Sequence, residues 1–182
     1  MKDSRVEGQI ETPSSWRESG LKLIWISLLV LILDQATKLW ISHNLVYMFD
    51  RIEVLPFFHI IHVQNPGAAF SFLSDQGGWQ RWFFTVLAIG ISAVLAWMLR
   101  RQPERMWRVN LAFVLIIGGA LGNVVDRIRI GAVIDFLDVH YQGWHWPAFN
   151  IADSAIVCGA ILMILDAVLT YREERKEKVK HD

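Results

Sequence analysis

The sequence predicts an all-α membrane protein with four transmembrane helices and both termini cytoplasmic. A small extended or β platform is expected on the outer side. Three observations carry this reading. Four long apolar runs lie at 23–41, 82–99, 109–125 and 151–171. Tryptophan and tyrosine gather at the ends of those runs. Lysine and arginine concentrate in three of the segments outside them.

The runs come first. A bilayer span needs roughly 17–25 mostly apolar residues, and each run meets that length. The runs 82–99 and 109–125 carry no charge, and neither shows the polar stripe that a soluble bundle helix needs. Trp25 and Trp40 bracket the first run, and Trp82 and Trp97 bracket the second. Trp107 opens the third, Trp144 and Trp146 precede the fourth, and Tyr171 closes it. Amphipathic rings of this kind favour the membrane–water boundary.

Charge sets the orientation. The chain has 182 residues, with 18 Lys+Arg against 18 Asp+Glu. Zero net charge argues against a general nucleic-acid binder. One Cys excludes an internal disulfide framework and a Cys-rich zinc site. Segments 1–22, 100–108 and 172–182 together hold 13 basic and 9 acidic residues, while the rest holds 5 and 9. The positive-inside rule therefore places both termini and the 100–108 connector in the cytoplasm. The chain then divides into a polar tail over 1–21, a four-span domain over 22–171 and a charged tail over 172–182. Both tails read as solvated and mobile. No cleavable signal peptide is expected, because about twenty polar residues precede the first run and no small-x-small site follows it. The outer connector 43–79 contains RIEVLPFFHIIHVQN, whose Ile, Val and Phe content indicates short strands.

Ionisable residues within or beside spans are costly, by about 2.5–3.5 kcal/mol at mid-helix, and mark functional positions. Asp166, near the cytoplasmic end of the last run, can reach interfacial water or Arg172. Asp34 and Lys38 stand four apart and can pair on one helix face. In GGALGNVVDR (118–127), Gly118 and Gly122 form a GxxxG pair that permits close helix approach. Asn123 and Asp126 of that segment share a face. Asp135 in AVIDFLD and Asp153 in FNIAD both fall near the outer boundary. Two adjacent carboxylates hold one proton between them. One then takes a proton from water while the other donates one, as in aspartic peptidases, with a bell-shaped pH profile. Spacing alone does not bring the two together.

Other chemistries find less support. There is no HExxH, and His59 and His62 have no acidic partner nearby in sequence. A Ser–Lys peptidase needs a neutral Lys, whereas Asp34 would keep Lys38 charged. Cys158 reads as a small apolar residue. No metal or other cofactor is expected. A non-enzymatic transporter or assembly factor stays open, with Asp34, Lys38 and Asp126 as a polar pathway. A transporter often repeats its halves, and no repeat is visible.

Five blocks in order resemble the lipoprotein signal peptidase (signal peptidase II) family of bacterial membrane aspartic peptidases. They are DQATK at 34–38, NPGAAF at 65–70, GNVVDR at 122–127, VIDF at 133–136 and FNIAD at 149–153. The resemblance covers about 22–171. It implies a multi-pass protein of the bacterial inner (cytoplasmic) membrane with its active site near the periplasmic face. It implies that Asp135 and Asp153 are the catalytic dyad. Asn65, Gly67, Asn123, Arg127 and Asn150 would bind substrate or shape the site, with Asp34, Lys38 and Asp126 in structural support. The implied substrate is a prolipoprotein with a diacylglyceryl-modified Cys, cut just before that Cys. Bilayer lipids and the cyclic peptide inhibitor globomycin are the other implied partners. Nucleic acid is not among them, and a monomer is expected.

Overall fold

The computed structural model describes residue 13, residues 15–67 and residues 78–181. Four helices and four strands follow in order: α1 (Ile24–Asn44), β1 (Arg51–Leu55), β2 (Phe58–Asn65), α2 (Trp79–Arg101), α3 (Trp107–Ile130), β3 (Val133–Tyr141), β4 (Trp144–His145) and α4 (Ile151–His181). Each apolar run falls within a helix long and apolar enough to cross a bilayer. The small antiparallel sheet has the strand order β1-β2-β3-β4.

Helix α3 is the centre of the bundle. Within the apolar windows, 67% of α3 is buried, against 22% for α1 and 17% for α2 and α4. Its glycines make this possible. A Cβ at Gly118 would lie 2.8 Å from the Ser27 carbonyl oxygen of α1. One at Gly119 would strike the Ala152 carbonyl of α4, and one at Gly122 would lie 2.6 Å from Asp34 Oδ2. Close backbone approach increases the van der Waals packing that, with interhelical hydrogen bonds, drives helix association in lipid. Ser27 adds a 2.7 Å hydrogen bond from Oγ to the Val114 carbonyl. The outward faces of α1, α2 and α4 carry exposed Leu28, Ile32, Val86, Val94, Ile161 and Ile164. In water so much apolar surface would drive association; against lipid tails it is the solvent-facing surface.

The sheet joins the two connectors that hold its strands, α1–α2 and α3–α4, at one end of the bundle. β2 and β3 pair from Phe58↔Val139 to Asn65↔Val133, with a bulge between Ile60 and Val63. Ile134 and Phe136 of β3 pack on Ile41 and Leu45 at the end of α1. Strand β3 is more regular than an apolar connector implies. VIDFLDVHY has the β-branched and aromatic content of a strand.

Residues 172–179 are exposed, in keeping with a solvated tail, while residues 1–12 and 14 of the N-terminal tail lie outside the described residues. Residues 172–181 continue α4 without a break. Glu, Lys and Arg are good helix formers, and Glu174 precedes Lys178 by the four residues that favour an ion pair. At the other terminus, Trp16–Glu18 and Gly20–Leu23 form two short 3₁₀ turns. The Gly20 N–H donates to the Gln102 carbonyl at 2.9 Å, and the Glu104 N–H donates to the Glu18 carbonyl at 2.8 Å. The end of the polar tail is therefore stitched to the connector after α2. Asp166 pairs with Arg108 of α3 at 2.8 Å, rather than with Arg172 as sequence proximity suggests. Arg108 faces it across the α3–α4 contact.

Candidate active site

The site is built around the first turn of α4. A helix start leaves its first backbone N–H groups without partners. Asn150 sits just before Ile151, and its Oδ1 accepts from the Asp153 N–H at 2.8 Å. Asp153 Oδ2 in turn accepts from the Asn150 N–H at 3.3 Å. This is a reciprocal capping box with Asn and Asp in the two roles. It fixes the Asp153 carboxylate at the positive end of the helix. A third acceptor arrives from another helix: Asp34 Oδ1 takes the Ala152 N–H at 3.0 Å.

Asp135 reaches the same place from β3. Phe149 is bonded to β3 through Phe136 N–H, Leu137 N–H and the Leu137 carbonyl, which holds Asn150 beside the strand. Asn150 Nδ2 then donates to Asp135 Oδ1 at 2.7 Å. Asn123 Nδ2 donates to Asp153 Oδ1 at 2.8 Å, and Asn123 Oδ1 accepts from Asn150 Nδ2 at 3.3 Å. The two carboxylates are thus linked through a pair of amides. Asp135 is only 3% exposed. Burial first, and then the neighbouring Asp153 charge, push its carboxyl up to about 7. Hydrogen bonds from Asn65 and Asn150 and the charge of Lys38 act the other way and are outweighed.

Beneath this pair lies a closed ionic cluster. Lys38 and Asp34 are 0% exposed. Lys38 Nζ meets Asp34 Oδ2 at 2.8 Å, Asp126 Oδ2 at 2.9 Å and Asn123 Oδ1 at 3.0 Å. An ammonium has three donors, and all three are matched. Asp126 also accepts from the Ile134 N–H at 3.2 Å, tying α3 to the start of β3. Gln35 is a participant that the sequence does not single out, yet its Nε2 reaches Asp126 Oδ1 and the Gly122 carbonyl, each at 3.1 Å. Its place next to Asp34 in DQATK is the available signal.

Arg127 lies within electrostatic reach of Asp126, Asp135 and Asp153. Its guanidinium stands 5.3 Å from the centre of the Phe84 ring, a contact that sequence spacing could not reveal. Asn65 Oδ1 accepts from the Gly67 N–H at 2.9 Å. Gly67 has φ +102, and a Cβ there would come 3.0 Å from Phe84. Both the dihedral and the space call for glycine. Ala68, Ala69 and Phe70 of the NPGAAF block lie outside the described residues.

Asp34, Lys38, Asn123, Asp126, Asp135, Asn150 and Asp153 are therefore joined in one network around the α4 cap, whereas Asp166 lies farther along α4 on Arg108 and Gly67 lies against Phe84. The arrangement can hold a proton on one carboxyl beside a second carboxylate, with amide donors fixed around them.

Comparison with known proteins identifies the family. Residues 26–169 match the family model described as "Signal peptidase (SPase) II". The Lipoprotein signal peptidase of Shewanella loihica (strain ATCC BAA-1088 / PV-4) is 53% identical over 167 residues, covering 92% of this chain and 98% of the relative. That of Shewanella halifaxensis (strain HAW-EB4) is 52% identical over 164 residues, covering 90% and 96%. A solved structure described as "Bacterial membrane enzyme structure by the in meso method at 2.3 A resolution" superposes with a TM-score of 0.73 at 35% identity, covering 86% of this chain and 92% of that one. A four-span chain with this network around the α4 cap, matched over this length and at this identity, belongs to the signal peptidase II family of membrane peptidases.

Proposed function

We propose that the chain is an intramembrane aspartic endopeptidase. It removes the signal peptide from diacylglyceryl-modified prolipoproteins by cutting just before the lipidated Cys. The observation that carries this reading is the attachment of Asp135 and Asp153 to the same Asn150, one through its side-chain amide and the other through its helix cap.

The proton inventory fits. A carboxyl with a pKa of about 7 is half protonated at neutral pH. Asp135 in its neutral form donates to the scissile carbonyl oxygen as Asp153 takes a proton from the attacking water. A tetrahedral diol forms without a covalent enzyme intermediate. In its collapse Asp153 gives its proton to the leaving amine as the C–N bond breaks and Asp135 takes one from a diol hydroxyl, so the pair ends with one proton, as it began. Arg127 holds a positive charge beside the acids, where oxyanion character develops. Asn65, Gly67 and Asn123 shape the entry to this pair and the substrate backbone lies along them. The ionic cluster of Asp34, Lys38 and Asp126 braces the site, and the full use of the Lys38 donors supports bracing over a transport pathway.

Location follows from charge. The positive-inside rule puts the sheet end at the periplasmic face of the bacterial inner membrane and both termini in the cytoplasm. A lipid-anchored substrate presents its scissile bond at that depth. Globomycin, as a cyclic peptide inhibitor of the family, would occupy the same cleft, and the unit acts as a monomer.

The test is cleavage of a lipidated prolipoprotein in detergent or bilayer by single Asp135→Asn and Asp153→Asn variants. Each is expected to lose about 10²- to 10⁴-fold in rate while retaining helical content. Near-normal cleavage by either variant sinks the dyad assignment.

A further inference from the structure

On the sheet, away from the dyad, the strand register assembles a second group of titratable side chains. His59 of β2 is the cross-strand partner of Asp138 in β3, and His140 of β3 is the partner of His145 in β4. Asp138 and His140 are two apart on one strand, so all four project from one face of three neighbouring strands. Asp138 is three residues from Asp135, and the pleat sends the two to opposite faces. Sequence spacing leaves His59 without an acidic partner; the register supplies one from β3.

The group has the form of a ligand set. One ligand atom from each of His59, Asp138 and His140 lies within 4.8 Å of the others. His59 Nε2 and His140 Nε2 stand 3.1 Å apart. Two nitrogens bound to a tetrahedral ion at about 2.0–2.1 Å are separated by about 3.3 Å, so the two imidazoles are already spaced for one ion, and the Asp138 carboxylate, which faces His59 at Nδ1, must swing toward them to complete the set. Asp138 is 5% exposed, and its carboxylate meets His145 Nδ1 at 2.8 Å and His59 Nδ1 at 3.7 Å. A buried carboxylate needs a charged or hydrogen-bonding partner, and a bound cation can serve as one beside the His145 contact. His59, Asp138 and His145, together with Arg51 but not His140, also line an open groove of about 470 Å³, which gives an entry path and room for water ligands.

We infer that His59, Asp138 and His140 form a binding site for a borderline divalent transition metal of the zinc class, cross-linking β2 and β3 on the face opposite the dyad. Imidazole and carboxylate together suit this class of ion. His145, held on Asp138, orients the carboxylate as an outer partner. Zinc displaces any proton shared between the two facing Nε2 atoms, because both lone pairs must point at the ion. The inference does not depend on the peptidase reading.

The experiment uses the full chain in detergent, carrying no polyhistidine tag. Zn²⁺ is titrated calorimetrically, and retained metal is counted after equilibrium dialysis. One ion per chain is expected. His59→Ala and His140→Ala should each weaken binding by more than about a hundredfold, and His145→Ala by about tenfold to a hundredfold. His43→Ala, on the exposed end of α1, should leave binding unchanged. Co²⁺ in the same site should give visible absorption bands that His140→Gln abolishes. That near-isosteric change keeps a hydrogen-bonding group on β3, so its loss of metal with unchanged helical content separates ligation from misfolding. Failure of the wild-type chain to retain Zn²⁺, or full retention by a His59→Ala/His140→Ala double variant, overturns the site.

Discussion

Asn150 Nδ2 and Asp135 Oδ1 are joined by a 2.7 Å hydrogen bond, and the same asparagine caps the helix that carries Asp153. One residue therefore does two separable jobs. Its Oδ1 ends a helix, and its Nδ2 positions a carboxyl on a different element. Asn150→Ser keeps a capping oxygen but removes the amide donor. This variant should fold normally and cut a lipidated prolipoprotein about 10- to 100-fold more slowly, with the loss in kcat. Asn150→Ala should add a cost of about 1 kcal/mol in stability. Equal kinetics of Asn150→Ser and the wild-type chain would show that the amide contributes nothing to the pair.

The raised Asp135 pKa has a signed consequence for stability. The folded carboxyl titrates near 7, against an ordinary value of 3.8. Between about pH 4 and pH 7 the folded state keeps a proton that the unfolded state has released. This group's contribution is thus most favourable below pH 4 and declines as pH rises to 7, by on the order of 4 kcal/mol in all. Asparagine does not titrate. Asp135→Asn should accordingly melt above the wild-type chain at pH 8 and lose that advantage by pH 4. Parallel Tm curves for the two chains across this range would refute the shift.

Two glycines, on neighbouring helices, should behave oppositely. Gly119→Ala drives a Cβ into the Ala152 carbonyl, one residue before Asp153. Overpacking of this kind costs about 1–3 kcal/mol, and it moves the α4 cap, so both thermal stability and cleavage should fall. A Cβ at Gly90, on α2, would meet nothing within 4 Å. Gly90→Ala should be neutral or slightly stabilising. Denaturation in detergent and a cleavage assay on both variants check the contrast.

Lys38→Met leaves Asp34 and Asp126 facing each other without their cation, inside a cluster whose side chains are 0% exposed. Removing one partner of a buried ionic group costs about 3–5 kcal/mol. The variant should accumulate poorly in membranes. Adding Asp34→Asn and Asp126→Asn should restore much of its level, measured by fluorescence size-exclusion of the solubilised protein. No recovery in the triple variant would mean that Lys38 does more than neutralise these acids.

How much of this is legible in the sequence depends on the range of the interaction. The four helices are readable because each is announced by its own apolar run and its terminal aromatic residues. The Asp34–Lys38 pair is readable because four residues on a helix is a local distance. The second carboxylate on Lys38 is not, since Asp126 arrives from another helix. Asp135 and Asp153 can be named, yet their meeting depends on Phe149 bonding to β3, and nothing in spacing states that. The His59–Asp138 pair needs the β2–β3 register, including its bulge. The helical form of residues 172–181 is not legible from their charge, which by itself neither favours nor disfavours a helix. Glu, Lys and Arg make good helices when a preceding span has already nucleated one.

The salt bridge between Asp34 and Lys38 also bears on the order of biogenesis. Chains are made from the N-terminus, so α1 enters the bilayer before Asp126, Asn123 and Ala152 exist. At that moment its carboxylate and ammonium are each other's charged partners, with the Gln35 amide of the same helix beside Asp34. Being four residues apart on one helix, they neutralise one another without help and let the segment insert as a nearly apolar rod. When α3 and then α4 follow, the same two groups become the anchor on which the later helices are received. A contact that looks like the middle of a finished network is therefore also its first member in time.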